Sequence, residues 1–128
     1  MSLRDNLKIL VVDDTSVSRG LICMSLDEIG VKNYDSCKSG IEAYDIAVRQ
    51  GAHIVISDQN MPGMTGVQLL EKLRMQKSTS RIGFILISGS MDQPLLDAAN
   101  KWGLNNFLPK PFDTVKLKNC IETVTGPL

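Results

Sequence analysis

The chain has 128 residues, with 14 basic and 14 acidic side chains and three widely spaced cysteines. The length fits one domain, and a balanced charge without blocks of like sign gives no indication of a nucleic-acid-binding surface. No apolar run approaches the roughly 20 residues that span a membrane, and the N-terminus lacks the pattern of a signal peptide. We therefore expect a single domain of residues 1–128, located in the cytoplasm with reduced cysteines, and no nucleic-acid or membrane partner.

The first half of the chain alternates apolar runs with helical patterns. Residues 9–12 are an unbroken aliphatic run, typical of a strand covered on both faces, and Thr15 and Ser16 can cap the helix that follows. Residues 33–36 indicate a weaker strand. A second helix begins at Ser39, whose spacing to Glu42 is that of a capping box.

The second half of the chain repeats this alternation. A third strand is predicted at residues 53–57, around the aliphatic run 54–56, and residues 84–87 are an unbroken apolar run that predicts the fourth strand. The helix between them also begins with capping-box spacing. Asp92 can cap a fourth helix, a short strand is predicted at residues 106–108, and Asp113 can cap the last helix.

Five strands that alternate with five helices predict an α/β fold with a doubly wound, five-stranded parallel sheet. The first, third and fourth strands have the strongest apolar runs, whereas the second and fifth are weak and are expected at the edges. The predicted strand order is therefore 2-1-3-4-5, as in flavodoxin-like folds. Ligands of such sheets bind beyond the carboxyl ends of the strands.

Polar side chains that can do chemistry follow four of the five predicted strands. In chain order they are Asp13, Asp14, Asp58, Ser88 and Lys110. Two carboxylates 4 Å apart repel by roughly 4 kcal/mol at an effective dielectric constant near 20, so three close carboxylates require a bound cation. The sequence therefore predicts a cation site at this edge of the sheet.

The predicted ligands of this cation are all oxygen atoms, including a backbone carbonyl from the turn at Asn60. Such a set favours Mg²⁺ over Ca²⁺. Transfer of a phosphoryl group to Asp58 needs a metal ion, an ammonium and a hydroxyl around the carboxylate. The predicted metal ion, Lys110 and Ser88 would supply these groups.

These residues resemble the receiver domain of two-component response regulators, in particular the stand-alone chemotaxis type (CheY-like). The resemblance extends from about residue 7 to residue 124. It rests on the acidic pair after the first strand, Asp-x-Asn-Met-Pro-x-Met-x-Gly after the third, a hydroxyl residue after the fourth and Lys-Pro-Phe after the fifth. It implies a signalling domain that catalyses only its own phosphorylation and dephosphorylation, rather than an enzyme.

The resemblance also implies a role for each residue of the predicted site. Asp58 would accept a phosphoryl group from the phosphohistidine of a sensor histidine kinase. Asp14, Asp58 and the carbonyl of Asn60 would bind Mg²⁺ directly, and Asp13 would assist through water. Lys110 would bind the phosphoryl group.

Activation in the resembled family involves a hydroxyl residue and an aromatic residue. Ser88 would move toward the phosphoryl group, and Phe107 occupies the position of an aromatic switch that is often Tyr. The family's usual protein-binding surface corresponds to the segment from Asp92 to Val124. A flagellar motor switch is one target that this resemblance implies, and a phosphate sink outside chemotaxis is an alternative.

Three other functions are compatible with the predicted architecture. A flavodoxin-type electron carrier needs a phosphate-binding loop after the first strand, where Asp13 and Asp14 would repel the flavin phosphate. A phosphatase with an Asp nucleophile would be expected to carry a second acid where this chain has Asn60. A receiver-like module that binds partners without phosphate normally lacks some of the acidic or Lys positions, all of which are present here.

Overall fold

The computed structural model describes residues 3–128, and the side chains of residues 5–128. Five strands form one parallel sheet in the order β2-β1-β3-β4-β5, which confirms the predicted topology. The strands are β1 (Lys8–Val12), β2 (Asn33–Cys37), β3 (Ile54–Asp58), β4 (Gly83–Ser88) and β5 (Asn106–Pro109).

Five helices connect and follow the strands, as the alternation of the sequence predicts. They are α1 (Ser16–Ile29), α2 (Gly40–Gln50), α3 (Gly66–Met75), α4 (Gln93–Lys101) and α5 (Thr114–Thr125). Two short elements were not predicted, a helical turn at Leu3–Asn6 and a 3-10 turn at Lys77–Thr79. No helix within residues 3–128 is long and apolar enough to cross a membrane.

The helices bury the sheet on both faces, and this explains why its central strands are apolar without alternation. Successive strand residues point to opposite faces. In β1, Ile9 and Val11 pack with the side of the sheet that α1 and α5 cover. Leu10 and Val12 pack with the opposite side, which α2, α3 and α4 cover.

The third strand is displaced by one residue from its predicted bounds. It was predicted at residues 53–57, but it begins at Ile54 and ends at Asp58. Asp58 belongs to the strand because it pairs in register with Ile87 of β4. His53 lies just before the strand, where its Nδ1 accepts a hydrogen bond of 2.9 Å from the backbone N–H of Lys8.

The predicted helix caps differ in how completely they form. The caps of α3, α4 and α5 are present, and the cap of α3 is a full capping box. At α2 the Ser39 side chain accepts from the N–H of Glu42, but the Glu42 carboxylate accepts from Lys38 and not from the cap residue. At α1 the prediction was wrong, because the Thr15 hydroxyl makes no cap and donates instead to Asp13 Oδ1.

The beginning of the edge strand β5 is held by a guanidinium group. Arg74, in the last turn of α3, donates hydrogen bonds to the carbonyl oxygens of Trp102 and Gly103 and to Asn105 Oδ1. The same Asn105 oxygen accepts from the backbone N–H of Phe84 in β4 at 2.8 Å. These contacts fix the strand whose carboxyl end leads into the candidate site.

Candidate functional site

Three carboxylates from two neighbouring strands meet at the carboxyl edge of the sheet. Asp13 and Asp14 follow β1, and Asp58 is the last residue of β3, which pairs directly with β1. One carboxylate oxygen of each residue lies within 4.8 Å of the others. Asp13 is fully buried, Asp58 is 6% exposed and Asp14 is half-buried. We call these three residues the carboxylate cluster.

Asp13 is held firmly, yet one of its oxygen atoms is left without a partner. Its Oδ1 accepts from the backbone N–H of Thr15 at 3.1 Å and from the Thr15 hydroxyl at 3.2 Å. Arg19 donates to its backbone carbonyl at 2.9 Å. Its Oδ2 is buried and has no hydrogen-bond partner among residues 5–128. Because an unpaired buried carboxylate oxygen is costly, this atom fits a place beside a bound cation, to which it can be joined through a water molecule.

The Lys110 ammonium lies against the carboxylate cluster. Its Nζ is 3.1 Å from Asp58 Oδ1, and it also donates to the Ser18 hydroxyl oxygen at 3.3 Å. The peptide bond between Lys110 and Pro111 is cis. Burial raises the pKa of the Asp58 carboxyl above its usual value, and the nearby Asp13 also raises it, while the Lys110 ammonium acts in the opposite direction.

Ser88 ends β4 and is almost fully buried. Its hydroxyl accepts from the backbone N–H of Ser90 and donates to the Ser90 carbonyl, both at 3.1 Å. Its own carbonyl accepts from the backbone N–H of Lys110 at 2.9 Å. The structure therefore places Ser88 at the site edge, with its hydroxyl directed to its own loop.

The remaining predicted residues lie farther out. Asn60 is exposed in the turn two residues after Asp58. Phe107 in β5 is 39% exposed, although an aromatic residue in a strand would ordinarily be expected in the core. The next residue, Leu108, is buried, and successive strand residues point to opposite faces, so Phe107 lies on the less covered face of this edge strand.

The turn after Asp58 folds back closely enough to require a glycine. A Cβ added at Gly66 would lie 2.7 Å from the carbonyl oxygen of Asp58 and 2.6 Å from Leu86 Cδ1. The N–H of Gly66 donates to the carbonyl of Gln59, and the Gln59 side chain accepts from the N–H of Val67 at the start of α3. These bonds hold the turn over the end of β3.

Sequence reasoning missed the side chains from α1 and its preceding loop. Thr15 was interpreted only as a cap, and neither Ser18 nor Arg19 was singled out. The available signal is their position, since Ser18 and Arg19 lie in the first turn of the helix that follows the acidic pair. Polar side chains in such a turn can reach the carboxyl edge of the neighbouring strands.

Comparison with known sequences places this site in a family. Residues 9–122 match the family described as response regulator receiver domain. A probable chemotaxis protein CheY from Rhizobium etli is 38% identical over 128 residues, which cover 100% of this chain and 99% of that protein. Chemotaxis protein CheY1 from Helicobacter pylori is 33% identical over 121 residues, which cover 94% of this chain and 98% of that protein.

Solved structures show the same architecture. Chemotaxis protein CheY4 from Vibrio cholerae superposes with a TM-score of 0.86 at 26% identity, covering 92% of this chain and 98% of that chain. The receiver domain of a sensor histidine kinase from Pseudomonas aeruginosa superposes with a TM-score of 0.84 at 25% identity, covering 94% and 98%. That structure has a magnesium ion coordinated in its active site cleft. The chain described here therefore belongs to the response regulator receiver domain family, with full-length relatives among the CheY chemotaxis proteins.

Proposed function

We propose that this chain is a phosphorylation-activated switch of the cytoplasm that takes a phosphoryl group from a sensor histidine kinase onto Asp58. The observation that carries the proposal is the surroundings of that carboxylate. Asp58 lies in the carboxylate cluster at the end of a central strand, with the Lys110 ammonium 3.1 Å from its Oδ1. Membership of the receiver family and the CheY relatives support a signalling role in chemotaxis.

The residues of the cluster fit a divalent cation. Three carboxylates have oxygen atoms within 4.8 Å of one another, and the buried Oδ2 of Asp13 has no hydrogen-bond partner among residues 5–128. We propose that Asp14, Asp58 and the carbonyl of Asn60 hold Mg²⁺, with Asp13 assisting through water. When bound, the ion supplies positive charge that neutralises the oxygens of the transferred phosphoryl group.

The proposed transfer is an in-line displacement by the Asp58 carboxylate. A carboxylate oxygen forms a bond to phosphorus while the bond between phosphorus and the histidine nitrogen of the kinase breaks. The electron pair of the broken bond stays on the imidazole nitrogen. Lys110 binds an oxygen of the transferred group, for which its position beside Asp58 is suited. Attack by water later releases phosphate and restores the carboxylate.

Activation would begin at Ser88. Its hydroxyl is bonded to Ser90, and we propose that it leaves this partner to donate to a phosphoryl oxygen. Phe107, now 39% exposed, would then change its exposure, and the surface from Asp92 to Val124 would bind a downstream protein such as a flagellar motor switch. Because Phe107 lacks a hydroxyl group, packing alone would drive its movement.

The test is the intact mass of the protein after incubation with Mg²⁺ and acetyl phosphate, a small-molecule phosphoryl donor. We expect one labile phosphoryl adduct on the wild type, none on Asp58→Asn, and an unchanged adduct on Asp35→Asn, whose carboxylate is exposed on the edge strand β2. An adduct that persists on Asp58→Asn would assign the nucleophile to another residue. A folded wild type that forms no adduct would contradict autonomous phosphorylation.

A further inference from the structure

The Lys110 ammonium contacts two side chains from different parts of the fold. It is 3.1 Å from Asp58 Oδ1, and it donates a hydrogen bond of 3.3 Å to Ser18 Oγ. Ser18 is half-buried in the first turn of α1 and is 92 residues from Lys110 in the sequence. The contact is therefore tertiary, and it connects α1 to the lysine that we expect to bind the phosphoryl group.

Lys110 has room to turn away from Asp58. A cavity of about 740 Å³ lies between α1 and the loop that follows β5, and both Ser18 and Lys110 line it. The lysine stem is a flexible four-carbon chain with a strongly hydrated end, so open space beside it favours several rotamers. An acceptor on α1 limits this freedom and keeps the ammonium at the carboxylate cluster.

The helix that carries this acceptor is itself fixed to the start of α5, which follows the Lys110 loop. The Thr114 hydroxyl forms hydrogen bonds of 3.1 Å with Ser25 Oγ and 2.8 Å with Glu28 Oε2, both on α1. Ser18 lies on the same helix, closer to its N-terminus, so its hydroxyl oxygen is presented at a set distance from Lys110. A group on a rigid element positions a partner better than one on a loop.

We propose that Ser18 is a positioning residue for phosphoryl transfer, because its hydroxyl holds Lys110 where the ammonium meets an incoming phosphoryl oxygen. The inference rests on the proposed function, since it requires Asp58 to be the phosphoryl acceptor. Ser18 acts through Lys110 and is not one of the oxygen ligands proposed for Mg²⁺. Its loss should therefore slow the transfer without weakening cation binding.

The experiment compares rates of adduct formation with acetyl phosphate and Mg²⁺ in four proteins. For Ser18→Ala we expect a rate constant about three to ten times lower than for the wild type, as expected for the loss of one typical intramolecular hydrogen bond. Ser18→Thr keeps a hydroxyl group and should restore the rate to within roughly twofold. The control Ser78→Ala removes an exposed hydroxyl from the 3-10 turn at Lys77–Thr79, beside His53 and away from Lys110, and should leave the rate unchanged.

The outcomes separate this inference from the proposed function. The positioning role would be supported if the wild type labels at Asp58, if Ser18→Ala labels more slowly and if Ser18→Thr labels at nearly the wild-type rate. All three proteins should bind Mg²⁺ with the same affinity, measured by calorimetry. A Ser18→Ala variant as fast as the wild type would overturn it while leaving Asp58 as the acceptor. Equal slowing in Ser18→Ala and Ser18→Thr would also overturn it, because the hydroxyl would not be the cause. A wild type that is never labelled would contradict both the proposed phosphorylation of Asp58 and the positioning role of Ser18.

Discussion

The backbone N–H of Lys110 donates a hydrogen bond of 2.9 Å to the carbonyl oxygen of Ser88. This bond continues the β4 and β5 ladder by one step beyond Pro109, which is paired with Ser88 but has no N–H to donate. The backbones of the two residues are therefore fixed to each other. Their side chains can still move independently, so the Ser88 hydroxyl and the Lys110 ammonium determine the chemistry at this edge of the site.

Lys110→Arg should separate cation binding from phosphoryl transfer. A planar guanidinium cannot reproduce a compact ammonium between Asp58 and the phosphoryl oxygens, so we expect labelling by acetyl phosphate to slow at least tenfold. Mg²⁺ affinity, measured by calorimetry, should stay within about twofold, because the proposed metal ligands remain. Lys116→Arg, on the exposed side of α5, is the matched control. Labelling of Lys110→Arg at the wild-type rate would argue against a specific role for the ammonium.

Magnesium should stabilise the folded protein. An ion that binds only the folded state at about a hundred times its dissociation constant adds about 2.7 kcal/mol to the free energy of unfolding. We expect the melting temperature to rise on adding Mg²⁺ to protein freed of metal by EDTA. Asp13→Asn should reduce this rise, because it removes the charge of a fully buried member of the cluster.

Asp97→Asn serves as the control for this measurement, since Asp97 is exposed on α4. It should show the same rise in melting temperature as the wild type. An equal rise in Asp13→Asn would place the stabilising ion elsewhere on the protein.

Asp58→Asn should stabilise the protein at neutral pH when no divalent cation is present. Burial, the largest cause, raises the pKa of Asp58, so the folded state holds the proton more tightly than the unfolded state does. As pH rises from the ordinary carboxyl pKa through the raised one, the folded wild type loses stability, and the loss persists above that window. The Asn variant is free of this penalty.

Urea unfolding in EDTA at several pH values measures the effect. The free energy of unfolding of Asp58→Asn should exceed that of the wild type at pH 7, and the difference should shrink as the pH falls below the ordinary carboxyl pKa. Asp35→Asn, at an exposed carboxylate, should show no comparable trend. A difference that grows toward low pH would mean that the Lys110 ion pair outweighs the cost of burial.

Gly66→Ala should destabilise the protein and distort the site. Its added methyl group would meet the Asp58 carbonyl oxygen at 2.7 Å and Leu86 Cδ1 at 2.6 Å, so the turn has to move, at a cost of about 1–3 kcal/mol. Gly20→Ala is the matched control, because Gly20 lies within α1 and, apart from its chain neighbours and the local helix backbone, no atom lies within 4 Å of an added Cβ. That variant should be more stable than the wild type by about 0.5–1 kcal/mol. Urea unfolding midpoints measure both, and a neutral Gly66→Ala would show that the turn is free to relax.

The architecture could be predicted from the sequence because it depends on features local to each segment. Unbroken apolar runs identify strands covered on both faces, and capping residues such as Asp92 and Asp113 mark where helices begin. Alternation of strands and helices then requires a parallel sheet. The carboxyl ends of its strands meet at one edge, and the Asp, Ser and Lys residues found there resemble a known motif.

The details of the site depended on contacts between distant residues, which leave no local pattern. Asp58 is a strand residue because Ile87 pairs with it, and Thr15 binds Asp13 although its sequence position favours a helix cap. The same is true of Ser18, whose hydrogen bond to Lys110 spans 92 residues of sequence.

The amino-acid sequence by itself determined the order of the strands, the edge at which the functional residues gather and the family to which they belong. Only the tertiary structure decided that the Asp13 carboxylate has a buried oxygen without a hydrogen-bond partner among residues 5–128, that the Ser88 hydroxyl is directed to Ser90, and that Phe107 is partly exposed. The physical reason is that burial and side-chain partners are set by which segments pack together, and not by the order of residues within a segment.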